Sequence, residues 1–429
     1  MSLGFETPHV KEIMGIKPHA NGVGSKRNPV PSHKVSTNQH SPSLDGIRGL
    51  AILLVLSFHL NLLGSFPSNS PLDTLFVKVF AFGWCGVDLF FVLSGYLITH
   101  VLYLAKGSEE YFSRFYKNRI LRIFPLYYGL LFITFLIIPN LPIGIIPDGK
   151  LQRWAQVDTN PLWYWLYLNN FTTAIAGSWG HGILDVTWSL AIEEQFYLFW
   201  PWMVYALDRV RLVRVCIALV LTAFAVRIAM VLADMNPVSI YVVTPGRLDA
   251  LAAGAFVALI GESSRSIPAL LRAQQIVIVT GFICLGLALW RGGASNTDPL
   301  VLTVGLSLIA IHFAAFIALV RTLPSDHWLV TLLSSTLLRV FGKYSFAMYL
   351  AHMPLSALVR DTVYHPDQFL TFGGSKLPGQ ILFYIGTISL TFVVAFVSWH
   401  FWEKHFLKLK SSFVLPLDIS SPEIPTQRT

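Results

Sequence analysis

The chain has 429 residues, of which 54% are hydrophobic and 13% are charged, and its formal net charge at pH 7 is +8. The charged share is about half that of an ordinary soluble domain, and a soluble fold of this length would leave too much apolar surface in water. Most of the 31 lysine and arginine residues fall in alternate loops between apolar segments, where such residues set membrane topology. The positive charge therefore predicts no nucleic-acid partner.

Apolar segments of about 20 residues, long enough to cross a hydrocarbon layer of ~30 Å, recur along the chain and predict an all-α, polytopic bundle of about ten membrane-spanning helices. The predicted spans are 46–66, 77–104, 122–139, 186–206, 213–234, 246–261, 275–290, 299–321, 338–360 and 379–402. Residues 1–42 are expected to form a flexible tail, 43–410 the membrane domain and 411–429 a short second tail. The aromatic stretch 163–171 predicts a short interfacial or re-entrant helix.

Basic residues cluster in the loops on one side of the predicted spans. With a cytoplasmic N-terminus, the clusters at 114–122, 209–214 and 404–410 all lie inside, as the positive-inside rule requires. An even number of spans then places both termini in the cytoplasm. The first forty residues are polar and contain no cleavable signal, so we expect a multi-pass protein of the bacterial inner membrane.

Five ionisable residues are expected at a common depth in the membrane. At ~1.5 Å per residue, His59, Arg227 and His352 lie roughly 20 Å from the cytoplasmic starts of their spans. Glu193 and Glu194 lie about 11 Å from the opposite side and reach a similar level. Ionisable groups in hydrocarbon are costly and mark functional sites, so these five are the candidate catalytic residues. For each histidine the alternative is a hydrogen bond that packs one helix on another.

Three arginines are expected at the cytoplasmic end and are called the arginine vestibule: Arg48, Arg119 and Arg122. Arg48 and His59 are about three helical turns apart, so they share a helix face and are separated by about 16 Å along it. Arg119 and Arg122 also share a face, because they stand at positions i and i+3. Guanidinium groups suit phosphate oxygens, although a topology signal explains the second and third arginines equally well.

Two other polar features are open to more than one interpretation. Ser94 is either a hydroxyl that contacts the donor or carries an acyl group, or a helix-packing residue. Arg247 and Asp249 are expected to pair with one another near the outer surface. The three cysteines lie in apolar segments and lack metal-ligand spacing, so no metal site is predicted.

Six segments resemble the acyltransferase-3 family of membrane O-acyltransferases. In the family's order, and covering residues 43–405, they are SLDGIRGLAILLVLSFHL, GVDLFFVLSGYLIT, FYKNRILRIFPLYY, TWSLAIEEQFYLFWP, GRLDALAAGA and GKYSFAMYLAHMPL. The resemblance implies ten core helices, transfer of acetyl or another short acyl group, and acceptors that are glycans or glycosylated small molecules. Some members carry an esterase-like domain after the last helix; few residues follow it here, so we expect the membrane domain to complete the reaction itself.

The resemblance also assigns roles to residues of the first and third spans. Arg48 and His59 match the family's first-helix arginine and histidine, and Arg119 and Arg122 match its cytoplasmic Arg-x-x-Arg. Phe58 stands where the family often has a second histidine. We therefore expect the vestibule to bind the phosphates of an acyl-CoA, with acetyl-CoA as the first candidate. His59 is expected to act as general base on the acceptor hydroxyl.

The remaining candidates have supporting roles in this hypothesis. Glu193 or Glu194 is expected to orient the imidazole, and Arg227 or His352 to stabilise the oxyanion or position the acceptor. The expected partners are acyl-CoA, the acceptor and membrane lipid. A transporter or flippase with a charged site at the membrane midplane is the main alternative, and a non-catalytic scaffold is the third. The vestibule and the absence of an inverted repeat favour the enzyme.

Overall fold

The computed structural model describes residues 41–66, 70–142, 150–154, 156–157, 159–180, 182–261, 267–293 and 295–411. Apart from residues 41, 42 and 411, the two predicted tails lie outside the described residues. The regular structure of the described ranges is helical, with one isolated bridge between Phe372 and Ser375.

The α-helices are α1 (Pro42–His59), α2 (Pro71–Ala81), α3 (Gly86–Ala105), α4 (Tyr111–Phe132), α5 (Lys150–Trp154), α6 (Leu162–Trp165), α7 (Asn169–Ala176), α8 (Thr187–Ala206), α9 (Arg209–Leu232), α10 (Pro237–Val242), α11 (Leu248–Ile260), α12 (Ile267–Trp290), α13 (Leu306–Thr322), α14 (Trp328–Leu333), α15 (Thr336–Thr362), α16 (Leu377–Ser398) and α17 (Lys404–Ser411). Segments of π-helix extend α4 (Ile133–Ile137), precede α13 (Val301–Gly305) and join α16 to α17 (Trp399–Glu403). Short 3-10 turns lie at Leu62–Gly64, Phe82–Cys85, Ile138–Asn140, Gly182–Leu184, Thr244–Gly246 and Pro366–Gln368.

Helical stretches long and apolar enough to cross a membrane confirm a polytopic helical membrane protein. Within the described ranges there are seven: Pro42–Gly64, Pro71–Leu104, Tyr111–Asn140, Arg209–Leu232, Ile267–Trp290, Val301–Thr322 and Leu377–Lys410. The other three predicted spans, 186–206, 246–261 and 338–360, coincide with α8, α11 and α15. The count of ten and the side of the termini stay predictions.

The three helices outside that set have large buried faces, although α8 also exposes Leu198, Phe199 and Trp202. α11 has only 13 residues, and almost all of them are buried against α3, α9 and α13. α8 carries Glu193 and Glu194 near its middle, and α15 carries His352. The buried face of a helix in a membrane bundle contacts protein and not lipid, so it tolerates polar residues that a lipid-facing surface cannot carry.

Close contacts between glycines and backbone hold the bundle together around α3. A Cβ added to Gly95 would lie 1.9 Å from the carbonyl oxygen of Leu251, and one on Gly254 would lie 1.9 Å from that of Val92. α3 and α11 therefore cross with their backbones in contact, as small residues permit in membranes. α1 and α15 cross in the same way, since a Cβ on Gly342 would lie 1.9 Å from the Asp45 carbonyl oxygen.

The first predicted span, 46–66, differs from the observed helix at both ends. α1 begins at Pro42 and ends at His59, where the chain enters a 3-10 turn. Gln380 of α16 binds this break: its Oε1 accepts hydrogen bonds from the N–H groups of Leu62 and Leu63, and its Nε2 donates to the Leu60 carbonyl. Backbone groups freed inside a membrane need such partners, so a distant side chain sets the end of α1.

The third span also starts earlier than predicted. α4 begins at Tyr111, eleven residues before the predicted start at 122. The basic residues of 114–122 lower the hydropathy of this segment, but long cationic side chains extend from a helix end toward water. The Arg-x-x-Arg pair therefore lies within α4.

Candidate active site

A cavity of about 800 Å³, including the space open to solvent, runs between α1, α3, α4, α8 and α15, and we call it the central pocket. It brings together five predicted site residues from four of these helices. Its lining consists of Arg48, Val87, Phe90, Phe91, Leu93, Ser94, Leu97, Arg119, Arg122, Ile123, Ser189, Leu190, Glu193, Tyr197, Ser345, Phe346 and Tyr349. The pocket thus combines a cationic part, an apolar wall and several hydroxyl groups.

The arginine vestibule forms one part of the central pocket. Arg48 and Arg122 each lie within electrostatic reach of Arg119. Arg48 donates to Asp45 at 3.1 Å, and the Arg119 guanidinium lies 4.5 Å from the centroid of the Tyr197 ring. Among the residues that line the pocket, these three guanidiniums outnumber the one carboxylate, that of Glu193, and this excess of positive charge suits an anionic ligand.

Glu193 lies in the central pocket beside two hydroxyl groups. The Ser94 and Tyr197 hydroxyls are 2.6 Å apart, and Glu193 interacts with both. A second pair of hydroxyls, from Ser189 and Tyr349, is also 2.6 Å apart. Sequence reasoning missed Ser189 and Tyr349 as pocket residues, although Tyr349 stands one helical turn before His352 and shares its face.

Glu194 does not line the central pocket. It lies near the tyrosines at 127 and 128 of α4 and at 167, between α6 and α7. Neighbouring residues of an α-helix point about 100° apart, so two adjacent carboxylates face different surroundings. Of the pair, Glu193 is therefore the one placed to meet a ligand in the pocket.

The two histidines form a pair next to the central pocket. The ring centroids of His59 and His352 are 4.9 Å apart, and the His352 ring is 5.7 Å from that of Tyr349. Nδ1 of His59 lies 3.1 Å from the Val55 carbonyl oxygen, and Nδ1 of His352 lies 2.6 Å from that of Tyr349. A carbonyl only accepts, so these contacts assign the proton of each neutral imidazole to Nδ1 and leave Nε2 as the basic nitrogen.

These contacts correct the expected role of the two glutamates. Backbone carbonyls, and not a carboxylate, orient both imidazoles, because each Nδ1 lies on the carbonyl of the preceding helical turn. The expectation that Glu193 or Glu194 orients the histidine is therefore wrong. Nε2 of His352 is buried and has no hydrogen-bond partner among the described residues.

Arg227 is not brought to the central pocket. Its side chain is fully buried, and its guanidinium donates to Asp249 at 2.7 Å, to the Ser307 hydroxyl at 2.6 Å and to the Gly246 carbonyl. These partners balance its charge within the protein. The enclosure favours a structural role, and action on an oxyanion stays only a prediction for Arg227.

The expected pairing of Arg247 with Asp249 is wrong. Arg247 pairs with Asp88 at 2.8 Å, and both side chains are 1% exposed. The Arg247 guanidinium also lies 5.6 Å from the ring centroid of Phe91, which lines the central pocket. Asp88, in the segment GVDLFF, is an acidic residue within a span, but sequence spacing does not reveal its partner 159 residues away.

The sequence model of the acyltransferase-3 family, which is described as an acyltransferase domain, matches residues 41–400. This range includes every residue that lines the central pocket and both histidines. No solved structure matches the chain.

Curated relatives share this region. YrhL of Bacillus subtilis, a putative peptidoglycan O-acetyltransferase, is 30% identical over 389 residues, which cover 87% of this chain and 56% of that protein. The peptidoglycan O-acetyltransferase OatA of Listeria monocytogenes is 28% identical over 75% of this chain and 50% of its own length. The O-acetyltransferase OatA of Staphylococcus aureus is 27% identical over 86% and 58%. The chain spans about half the length of these relatives, and it belongs to the acyltransferase-3 family of membrane acyltransferases.

Proposed function

We propose that this chain is an O-acyltransferase of the bacterial inner membrane. It moves an acetyl group, or another short acyl group, from acyl-CoA to a hydroxyl of a glycan or glycosylated small molecule. The observation that carries the proposal is the composition of the central pocket. Three arginines line one part of it, apolar residues of α3 form a wall, and the His59–His352 pair lies next to its polar residues. The relatives named for peptidoglycan O-acetylation support a glycan as acceptor.

The shape and chemistry of the pocket support an acyl-CoA as donor. The arginine vestibule would hold the phosphates, since guanidiniums bind phosphate oxygens through paired hydrogen bonds. From Leu97 to Val87 the pocket follows α3 for ten residues, about 15 Å along the axis, past Phe90 and Phe91. An extended pantetheine arm fits a wall of this length and apolar character and would carry the thioester toward Tyr349.

The tautomer of the histidines supports base catalysis by His59. Its Nε2 would take the proton of the acceptor hydroxyl while the hydroxyl oxygen attacks the thioester carbonyl carbon. The tetrahedral intermediate then loses the CoA thiolate as the C–S bond breaks, and the thiolate recovers a proton from the imidazolium. Nε2 of neutral His352 accepts a hydrogen bond and donates none, so His352 would position the acceptor hydroxyl and not stabilise the oxyanion.

Glu193 is proposed to shape the donor's path and not to act on the imidazole. Its contacts with the Ser94 and Tyr197 hydroxyls hold these groups at the pocket wall beside Arg119. The variant Glu193→Gln keeps the shape and removes the charge. It should reduce transfer more than Glu194→Gln, since only Glu193 lines the pocket. Equal activity of the two variants at every pH from 6 to 8 would contradict this role.

The first experiment measures acyl transfer by purified protein in lipid nanodiscs, with labelled acetyl-CoA and peptidoglycan fragments or other glycosides as acceptors. The variant His59→Ala should still bind acetyl-CoA and lose transfer by about 10²–10⁴-fold, the usual cost of a lost general base. His312→Ala is the matched control, because His312 is also within a helix but contacts Thr280, away from the central pocket. Transfer by His59→Ala at more than a tenth of the wild-type rate would exclude His59 as the base.

The second experiment measures binding of acetyl-CoA and free CoA by calorimetry. Arg122→Lys keeps the charge and loses the planar fork, so it should weaken binding of both ligands. Arg211→Lys is its control, since Arg211 is exposed and pairs with Asp208 outside the pocket. If wild-type protein binds neither ligand better than a control nucleotide, the donor assignment fails and a transporter becomes the leading hypothesis.

A further inference from the structure

A second, smaller pocket lies beside the arginine vestibule, between α4 and α17. Three of its lining residues are cationic, Arg114, Lys117 and Lys410, and one is acidic, Glu110. Ser113 and Asn118 add polar side chains to its wall. We call it the basic pocket. Lys410 lies beyond the residues matched to the family, so this pocket is partly a feature of this chain's own sequence.

The basic pocket and the arginine vestibule occupy neighbouring faces of α4. Glu110, Arg114, Lys117 and Leu121 recur at intervals of three or four residues and therefore share one face. Arg119 follows Asn118 directly and points about 100° away from it, toward the central pocket, and Arg122 lies about 6 Å from Asn118 along the axis. A ligand with two separated anionic groups can therefore contact both faces.

The positive charge at this end of the bundle exceeds the negative charge around it. Lys410 lies within electrostatic reach of Arg114, Arg119 and Arg122, and Arg122 also lies within reach of Arg48. The acidic groups near these cations are Asp45, Glu110, Glu193, Glu194 and Glu403. A topology signal requires cations on this side of the membrane, but it does not require six of them to line two adjoining pockets. Their mutual repulsion is relieved by a ligand that carries several negative charges.

We propose that the basic pocket binds the 3′-phosphate of the donor's adenosine while the arginine vestibule binds its diphosphate. This inference rests on the proposed function, because it takes acyl-CoA as the donor. The two phosphate groups of a CoA stand on one ribose, at its 3′ and 5′ positions, and so reach neighbouring sites. The flexible ammonium groups of Lys117 and Lys410 suit a terminal monophosphate, and the planar guanidiniums suit the diphosphate.

The experiment compares two donors that differ only in this phosphate: acetyl-CoA and acetyl-dephospho-CoA. The full chain is placed in nanodiscs of neutral phosphatidylcholine, and calorimetry measures both dissociation constants. Wild-type protein should bind acetyl-CoA at least about tenfold more tightly, as expected for new charge-assisted hydrogen bonds. Equal affinity for the two donors overturns the inference and leaves the proposed function intact. If neither donor binds, the proposed function itself fails.

Variants locate the preference within the structure. Lys117→Gln and Lys410→Gln should weaken binding of acetyl-CoA and leave binding of acetyl-dephospho-CoA unchanged. The ratio of the two dissociation constants should then approach one. Arg119→Lys should weaken binding of both donors equally, because it alters the proposed diphosphate site, which both donors occupy. Glu110→Gln removes a negative charge from the basic pocket and should increase the preference. If the preference persists in both lysine variants, another part of the protein recognises the 3′-phosphate and the inference is wrong.

An anionic lipid headgroup offers similar chemistry, and a lipid measurement distinguishes it. Protein purified from the membrane is analysed for retained phospholipid by mass spectrometry, as wild type and as Lys117→Gln. Equal retention of anionic lipid by the two proteins supports the donor as occupant. If the variant loses anionic lipid and keeps its wild-type preference between the two donors, the basic pocket is a lipid site and the inference fails.

Discussion

The crossing of α3 and α11 gives the sharpest structural prediction, through the substitution Gly95→Ala. The new Cβ would lie 1.9 Å from the Leu251 carbonyl oxygen, whereas ordinary contacts begin at 3.4 Å. The two backbones must therefore separate by about 1.5 Å, because no flexible side chain lies between them to move aside. The neighbouring Ser94 lines the central pocket, so the separation also shifts the pocket wall.

The magnitude follows from two opposing effects. Overpacking of a close contact costs about 1–3 kcal/mol, and more when backbone must move. Alanine has a better helix propensity than glycine by about 1 kcal/mol, which offsets part of this cost. We expect the free energy of unfolding to fall by about 1–3 kcal/mol and the affinity for acetyl-CoA to fall with it. The measurements are unfolding in mixed detergent micelles and calorimetry.

Two further variants make the result decisive. Gly129→Ala is the control, because a Cβ on Gly129 would meet nothing within 4 Å, and it should leave stability unchanged or slightly raised. Gly254→Ala places a Cβ in the same helix crossing, from the α11 side. A single separation of α3 from α11 therefore relieves both clashes. The double variant Gly95→Ala/Gly254→Ala should then cost less than the sum of the single variants. Stability of Gly95→Ala equal to that of Gly129→Ala would refute the close crossing.

Three other substitutions test the contacts around the site, each by unfolding in mixed micelles. Asp88→Ala leaves the Arg247 guanidinium buried without its partner and should lower the free energy of unfolding by about 3–5 kcal/mol. The double variant Asp88→Leu/Arg247→Met removes both charges and should cost less. Gln380→Leu leaves the Leu63 N–H without its partner, whereas the Leu62 N–H and the Leu60 carbonyl keep their 3.0 Å bond to each other, so the expected cost is about 1–3 kcal/mol. Tyr197→Phe removes only the hydroxyl bonded to Ser94, so it should cost about 0.5–1.5 kcal/mol and barely change acetyl-CoA affinity by calorimetry.

The fold was predictable from the sequence where a helix faces lipid and less so where it faces protein. Hydropathy located the seven described helices that are long and apolar enough to cross a membrane, because a run of about 20 apolar residues has few other uses. It missed the end of α1, since the sequence stays apolar to residue 66 while Gln380, far along the chain, binds the break at 60–63. Hydropathy also missed the first turns of α4, because the basic residues there lower the mean hydropathy of the segment.

The candidate site was predictable where residues share one helix and unpredictable where they pair across helices. Helical spacing placed Arg119 and Arg122 on one face of a helix, and the structure brings them together with Arg48 in the central pocket. A common depth anticipated the contact of His59 with His352. The depth of a residue in the membrane does not say which way its side chain points. Depth alone therefore grouped Arg227 with the histidines, although Arg227 faces Asp249.

The ion-pair partners of the arginines distinguish those with a structural role from those that a ligand can reach. Arg227 and Arg247 are buried, and each has its own aspartate, so this pair of ion pairs is neutral as a set and needs nothing from outside the protein. The vestibule and the basic pocket hold more cations than acids, and both open toward solvent at the same end of α4. Buried charges without partners would unfold the bundle, whereas accessible ones are stabilised by water until an anion arrives. The same residue type therefore serves two purposes in this fold: enclosed arginines between α3, α9 and α11 hold the helices together, and accessible ones on α1 and α4 line the two pockets, where the proposed donor would meet them.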